Sequence, residues 1–349
     1  MKKIPQLLFI FTCLSALSVR CQPETPKLVI GIVVDQMRYD FLYRYAEKYS
    51  TGGFKRLLRE GYSCENTHYS YIPTYTGPGH TCIYTGSVPA VNGIISNEWF
   101  DEKTKAPVYC TSDATVNTVG GTGVAGKMSP SLLLTSTITD QLQLFTNDKS
   151  KVIGIALKDR GAILPAGHMA DGAYWFDGMN NAWITSSYYM NDLPQWVKTF
   201  NATHNANSFL NGTWNLLYNA DKYSVSNSDN NTWETKSANE TAPVFPHTFV
   251  ATNGNTEVIK ATPWGNTFTA QFAEAAIAGE QMGADSITDF LTVSFSSTDY
   301  IGHQYGPTSM EMEDCYLRMD KDLAGFIHFL DSTIGKANYL LFLTGDHGV

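Results

Sequence analysis

The run KLVIGIVVD, residues 27–35, constrains this chain most: its side chains are apolar at almost every position and it ends on an aspartate. Such continuity, without alternation, marks a strand covered on both faces, as in the centre of a parallel sheet. The pattern recurs in KVIGIALKDR at 151–160, near 289–296 within SITDFLTVSFSSTDY, and near 338–344 in NYLLFLTGDHG. Helical spacing fills the intervals. It follows the first run, broken at Gly52 and Gly53, and returns at 129–147 with Ser129 as cap, at 268–283 and at 309–335. Strands alternating with helices predict an α/β fold, a doubly wound, mostly parallel sheet flanked by helices. Residues 197–262, rich in Asn, Ser, Thr, Trp and Tyr, break the pattern and read as an irregular insertion or cap without a core of its own. Its Asn-x-Thr triplets at Asn201, Asn211, Asn230 and Asn239 are glycosylation acceptors in a eukaryotic secreted protein or chance in an Asn/Thr-rich stretch.

Each predicted strand ends in polar residues. The first ends at Asp35, the second runs into Lys158 and Arg160, the third is followed by Asp299 and His303, and the fourth ends at Asp346 and His347. Open α/β sheets bind ligands beyond the carboxyl ends of their strands, so one edge should collect all of these groups. Carboxylates and imidazoles without a thiolate suit zinc, and manganese or iron also fits the set. Asp299 and His303 are four apart, so one helical turn or a tight loop can place both on one metal. Asp346 and His347 converge only at a turn, and TGDHG supplies glycines for one. Three neighbouring carboxylates repel unless cations compensate, which favours a two-metal site. Lys158 and Arg160, read as an extended segment, share a face and form a clamp for a dianion.

In YIPTYTGPGHT, residues 71–81, the Gly-Pro-Gly triplet opens a helix and sets Thr76 at or beside its N-cap. Free amides and the positive end of the helix dipole favour an anion there. A threonine hydroxyl at that point is either a cap or, beside a metal that lowers its pKa, a nucleophile.

The ordered set VVDQMRYD, PTYTGPGHT, GIISNEWF, LKDRGAI, STDYIGHQYG and TGDHG resembles the alkaline phosphatase superfamily from about residue 27 onward. Within it the chain is similar to exported bacterial alkaline phosphatases with a threonine nucleophile, near the nucleotide pyrophosphatase/phosphodiesterase branch. The resemblance implies two zinc ions per subunit. Asp35, Asp346 and His347 would hold the ion that activates Thr76, with Thr76 itself in contact with it. Asp299 and His303 would hold the second. Asn97, Lys158 and Arg160 would contact phosphoryl oxygens. The Lys/Arg pair favours monoesters, whose extra negative charge it matches, over diesters. The superfamily adds a third ligand to the second ion, a histidine well downstream of the Asp-His pair. With no such histidine before Val349, the chain is read as an N-terminal fragment with an incomplete second site.

The expected activity is therefore hydrolysis of small-molecule phosphate monoesters through a phospho-threonine. A phosphodiesterase or pyrophosphatase on the same scaffold is the alternative, and a non-catalytic exported binding protein is a second. A net charge of −9 argues against a nucleic-acid partner, which calls for a basic face. MKK followed by LLFIFTCLSALSV reads as a signal peptide over residues 1–22, directing the catalytic domain, 23–349, to the periplasm or outside. That apolar run is too short to span a bilayer, and no transmembrane segment is expected elsewhere. Arg20 argues against lipidation of Cys21. Cys64, Cys82, Cys110 and Cys315 would meet an oxidising compartment with three full pairings open to them. The expected oligomeric state is a monomer.

Overall fold

A computed structural model describes residues 25–238, 240–249 and 254–348. The signal-peptide reading, Cys13, Cys21 and the Asn239 triplet lie outside these residues. The centre is a seven-stranded sheet built from β1 (Leu28–Val34), β2 (Thr118–Val119), β3 (Val152–Ala156), β4 (Gly172–Asp177), β5 (Ala182–Ser186), β6 (Asp289–Phe295) and β7 (Tyr339–Gly345). Their spatial order is β7-β1-β6-β3-β4-β5-β2. The first five strands in that order pair in parallel, while β4–β5 and β5–β2 are antiparallel. The mostly parallel α/β sheet expected from the sequence is therefore present. Every residue of β3 and β6 is buried, which explains their unbroken apolar character.

The four strands legible in the sequence, β1, β3, β6 and β7, are consecutive neighbours in the sheet, in the order β7-β1-β6-β3. The three not foreseen occupy the other side. β4 (GAYWFD) and β5 (AWITS) mix small, aromatic and polar residues in place of an aliphatic run, and β2 is a two-residue pair on β5, so none of the three carries the signal of the other four.

Six helices matter for the site and its support: α1 (Thr76–Thr85), α2 (Ile138–Thr146), α3 (Asp159–Ala166), α4 (Trp264–Gly279), α5 (Ser297–Tyr305) and α6 (Met310–Leu330). The expected helix at 129–147 is shorter. Ser129 is not its cap; Thr137 is, in a reciprocal box with Asp140, whose carboxylate accepts from the Thr137 amide while the Thr137 hydroxyl accepts from the Asp140 amide. Pro130 suits the turn before it. The helix expected at 309–335 runs to Leu330 and ends in a π-helical turn at Asp331–Gly335.

The Asn-rich segment has little regular structure: two short helices, a two-residue strand pair (Thr213–Trp214 with His247–Thr248) and two 3₁₀ turns. Its buried Val197, Phe200, Leu210, Trp214, Tyr223, Phe249 and Ile259 join the same core as Ile301, Tyr305, Met312 and Tyr316 of α5 and α6. All four described cysteines are free thiols, so none of the open disulfide pairings forms; Cys110 and Cys315 are buried apart from any partner sulfur.

Candidate active site

Four adjacent strands deliver polar residues to one sheet edge. Asp35 directly follows β1, Asp346 and His347 follow β7, Asp299 and His303 sit on α5 just past β6, and Lys158 follows β3. Asp35, Thr76, Lys158, Asp299, Asp346 and His347 are all buried. Of the two geometries open to Asp299 and His303, the helical turn is the one present: they lie one turn apart on α5 with His303 Nε2 3.2 Å from Asp299 Oδ1.

The Lys158/Arg160 geometry differs from the extended reading. β3 stops at Ala156, Lys158 is the N-cap of α3, and Arg160 is already helical. The chain turns there because KDRGAIL has better helical than strand character, with Asp159 in the first turn. The two cations still gather at the site from this corner. Lys158 Nζ donates to Asp35 Oδ2 at 2.6 Å and Asp299 Oδ2 at 2.5 Å, lies 3.5 Å from Thr76 Oγ1, and sits over the Tyr300 ring at 4.9 Å. Arg160 donates to Tyr109 Oη at 2.9 Å, and Tyr109 in turn donates to Asp159 at 2.8 Å, so the guanidinium is held from outside the sheet. Its Nε is buried without a partner.

Thr76 is the first residue of α1, one position inside the N-cap Tyr75, which makes no side-chain cap. The side chain of Asn97 takes over that duty: its carbonyl accepts from the Gly77 amide at 2.7 Å. A primary amide anchored through its oxygen keeps both N–H groups as donors. Gly79 explains how close α1 comes to the end of β7. A Cβ there would lie 2.6 Å from the Asp346 carbonyl oxygen and 2.8 Å from its Cβ, so only glycine allows the contact.

His80, one turn after Thr76, joins the two. Its Nδ1 lies 2.9 Å from the Thr76 carbonyl and 3.1 Å from Asp346 Oδ2, and its Nε2 lies 2.8 Å from Ser294 Oγ. Both neighbours of Nδ1 are acceptors, so that nitrogen carries the hydrogen and Nε2 is free to accept from Ser294.

The electrostatics follow from crowding. Burial pushes the Asp346 carboxyl up, but His80, His347 and Lys158 outweigh it and hold its pKa below the usual carboxylate value. Burial works against the His347 imidazolium, yet Asp35 and Asp346 lift its pKa to about 9. Lys158 is likewise held above its ordinary value: burial opposes its charge, and Asp35 with Asp299 more than compensates.

Donor atoms of Asp35, Asp299 and His347 lie within 4.8 Å of one another. The inner carboxylate oxygens are partnered by imidazoles: His347 Nε2 lies 3.3 Å from Asp35 Oδ1, and His80 Nδ1 and His347 Nε2 lie 3.1 and 3.7 Å from Asp346 Oδ2. An oxygen- and nitrogen-rich donor set of this kind fits a divalent cation of the zinc type. This close group takes Asp299 from the set implied for the second ion. His303 is the outlier: its side chain is 73% exposed and, among the described residues, its polar contacts are Asp299 and Gln36.

Gln36 was not singled out by sequence reasoning. It is buried, takes a left-handed backbone (φ 61°), and donates to Asp299 Oδ1 at 2.9 Å from its side chain and to Asp346 Oδ1 at 3.1 Å from its backbone. The only sequence signal was its place directly after a strand-end aspartate.

The family model for type I phosphodiesterases/nucleotide pyrophosphatases matches residues 29–349. The chain belongs to this family. It thereby falls within the alkaline phosphatase superfamily. A Myroides odoratus protein named calcium-transporting ATPase is 56% identical over 330 residues, covering 93% of this chain and 60% of the relative. Alkaline phosphatase PhoV of Synechococcus elongatus is 53% identical over 330 residues, with 93% of this chain and 60% of PhoV covered. A crystal structure of an alkaline phosphatase PafA variant, with a threonine changed to serine and an asparagine, a lysine and an arginine changed to alanine, superposes with a TM-score of 0.91. It is 51% identical and the match covers 93% of this chain and 63% of that one. The chain thus spans about 60% of the length of the curated relatives it matches.

Proposed function

We propose that this chain carries the nucleophile and phosphate-binding half of a phosphate monoesterase that works through a covalent phospho-threonine. The observation that carries the proposal is the placement of Thr76 Oγ1 at a helix N-terminus, 3.5 Å from Lys158 Nζ and beside the Asp35/Asp299/His347 group. The PafA variant alters a threonine, an asparagine, a lysine and an arginine, the same four residue types as Thr76, Asn97, Lys158 and Arg160.

In this reading Asp35, Asp346, His347 and the Thr76 hydroxyl hold one zinc, and Asp299 and His303 contribute to a second. Zinc, when bound, supplies the Lewis acidity that makes a threonine hydroxyl nucleophilic near neutral pH and neutralises phosphoryl charge. The chain's own groups do the rest. The α1 amides and dipole receive the phosphoryl oxygens. Asn97 offers its free amide N–H groups, and Lys158 and Arg160 match the dianion. Thr76 Oγ forms the new P–O bond as the bond to the leaving alcohol breaks, and water later cleaves the phospho-threonine to release inorganic phosphate. His80 keeps the Thr76 carbonyl and Asp346 in one register throughout.

Thr76→Ala is expected to lower turnover of an aryl phosphate by a factor on the order of a thousand or more while zinc content is kept. Unchanged turnover would sink the mechanism. The family's name favours one second reading, a phosphodiesterase. A kcat/KM for an aryl diester exceeding that for the monoester, and surviving Lys158→Ala, would select it. The same proposal assigns residues 1–22 to an export signal and small-molecule phosphate monoesters to a monomeric enzyme. N-terminal sequencing of the exported protein and its mass in solution check both. No helix among the described residues is long and apolar enough to cross a membrane.

A further inference from the structure

Gln36 occupies a position where a glycine would be less strained. The chain must turn sharply after Asp35, and a non-glycine residue at φ 61° carries on the order of 1 kcal/mol of backbone cost. Its side chain is nonetheless buried, and it touches candidate ligands from three separate elements. It is bonded in sequence to Asp35 after β1. Its backbone amide donates to Asp346 after β7 at 3.1 Å. Its Nε2 donates to Asp299 Oδ1 at 2.9 Å and lies 3.4 Å from His303 Nε2 on α5.

α5 is shaped to admit it. A Cβ on Gly302, between the two α5 ligands, would lie 2.0 Å from Gln36 Oε1, so the helix leaves open the space the amide fills. Among the described residues, Asp299 is the other side chain in polar contact with His303, whose ring is mostly exposed. Gln36 and Asp299 are therefore the two described side chains whose polar groups reach the His303 ring nitrogen.

We propose that Gln36 is a positioning residue that fixes the Asp299–His303 pair relative to Asp35 and Asp346, and so sets the affinity of the second cation. The inference rests on the two-zinc reading above. Losing a hydrogen bond that orients a ligand costs about tenfold to a hundredfold in metal affinity. Gln36→Gly removes the side chain, keeps the amide to Asp346 and relieves the left-handed strain, so the variant should fold at least as well. Gln36→Glu keeps the shape but sets a carboxylate against Asp299.

The test is competition titration of the metal-free protein with Zn2+ against a chromophoric chelator, beside thermal unfolding and kcat and KM for an aryl phosphate. The expected result for Gln36→Gly is an undiminished Tm, one zinc bound as in wild type, the second about tenfold to a hundredfold weaker, and a fall in kcat with KM little changed. Gln36→Glu should change second-site affinity by a different factor, because its charge meets the same ligands. Wild-type zinc affinities at both sites in both variants would overturn the inference and leave the two-zinc reading standing. A loss of Tm with unchanged zinc affinity would also overturn it, reducing Gln36 to a packing residue. A wild-type protein that binds fewer than two Zn2+ would instead overturn the two-zinc reading on which it rests.

Discussion

Two regions of the molecule bury clusters of carboxylates, and they treat them in opposite ways. Along the first turns of α6, Glu311, Glu313 and Asp314 are fully buried under the Asn-rich segment. Asp314 is saturated: one oxygen accepts from the Leu217 amide and the Tyr223 hydroxyl, the other from Trp214 Nε1 and Arg318 Nε. Glu313 accepts from Lys48 and Ser226. Glu311 meets His247 Nε2 at 3.0 Å through one oxygen, while its other oxygen has no hydrogen-bond partner, and His247 Nδ1 meets Glu240. At the strand ends, Asp35, Asp299 and Asp346 converge on shared cationic partners, Lys158 and the imidazoles of His80 and His347. Carboxylates that accept from amides, hydroxyls and an indole of another segment hold two segments together. Carboxylates crowded around shared cations form a site whose balancing charge a metal ion can take over. The first arrangement fastens the insertion; the second suits binding.

The contrast breaks first at Asp314. Asp314→Ala leaves Arg318, Trp214 and Tyr223 without their acceptor and should cost about 3–5 kcal/mol of stability, with or without zinc, measured by denaturant unfolding. A loss that zinc restores would erase the distinction between the regions. At the other cluster, Lys158→Ala should lower monoester turnover by about 10²–10³-fold, or about 2.7–4 kcal/mol. Its destabilising effect should be larger in the metal-free protein, where Lys158 bridges Asp35 and Asp299; equal effects in both forms would count against a cation site there.

His247 sharpens the fastening role. Burial opposes its charge, but Glu311 and Glu240 hold its pKa above the ordinary histidine value. A raised folded pKa stabilises in full below the unfolded value of about 6.5, and that contribution is lost as pH rises through the folded value. His247→Gln should therefore cost about 1.5–3 kcal/mol at pH 6 and progressively less at alkaline pH, read from unfolding at several pH values. The last effect is at His347, whose pKa of about 9 means that a metal competes with a proton. Zinc affinity should rise by up to about tenfold per pH unit below pH 9 as that proton is displaced, checked by competition titration in buffers of matched zinc affinity.

Much of this was legible in the sequence because the informative strands are buried on both faces and end in charged residues. β1, β3, β6 and β7 could be read directly, and the spacing of Asp299 and His303 left a helical turn as one of two ways to bring them together. Lys158 and Arg160 were placed at the correct edge with the wrong backbone, since a strand end and a helix cap share the same few residues. Thr137 was missed as a cap because Ser129 offered an earlier one, and only the Asp140 partner three residues on distinguishes them. Gln36 was illegible for a different reason. Its role depends on a left-handed turn and on a glycine some 270 residues away in sequence, neither of which has a local pattern.

The order β7-β1-β6-β3 has a further consequence. The spacing of Asp35, Asp346, Asp299 and Lys158 is dictated by inter-strand pairing, which is the same whatever the chain does between strands. The exposed surface of the Asn-rich segment can change without altering those distances. Under the proposed function, substrate preference is then free to drift in one part of the gene while the chemistry stays put in another.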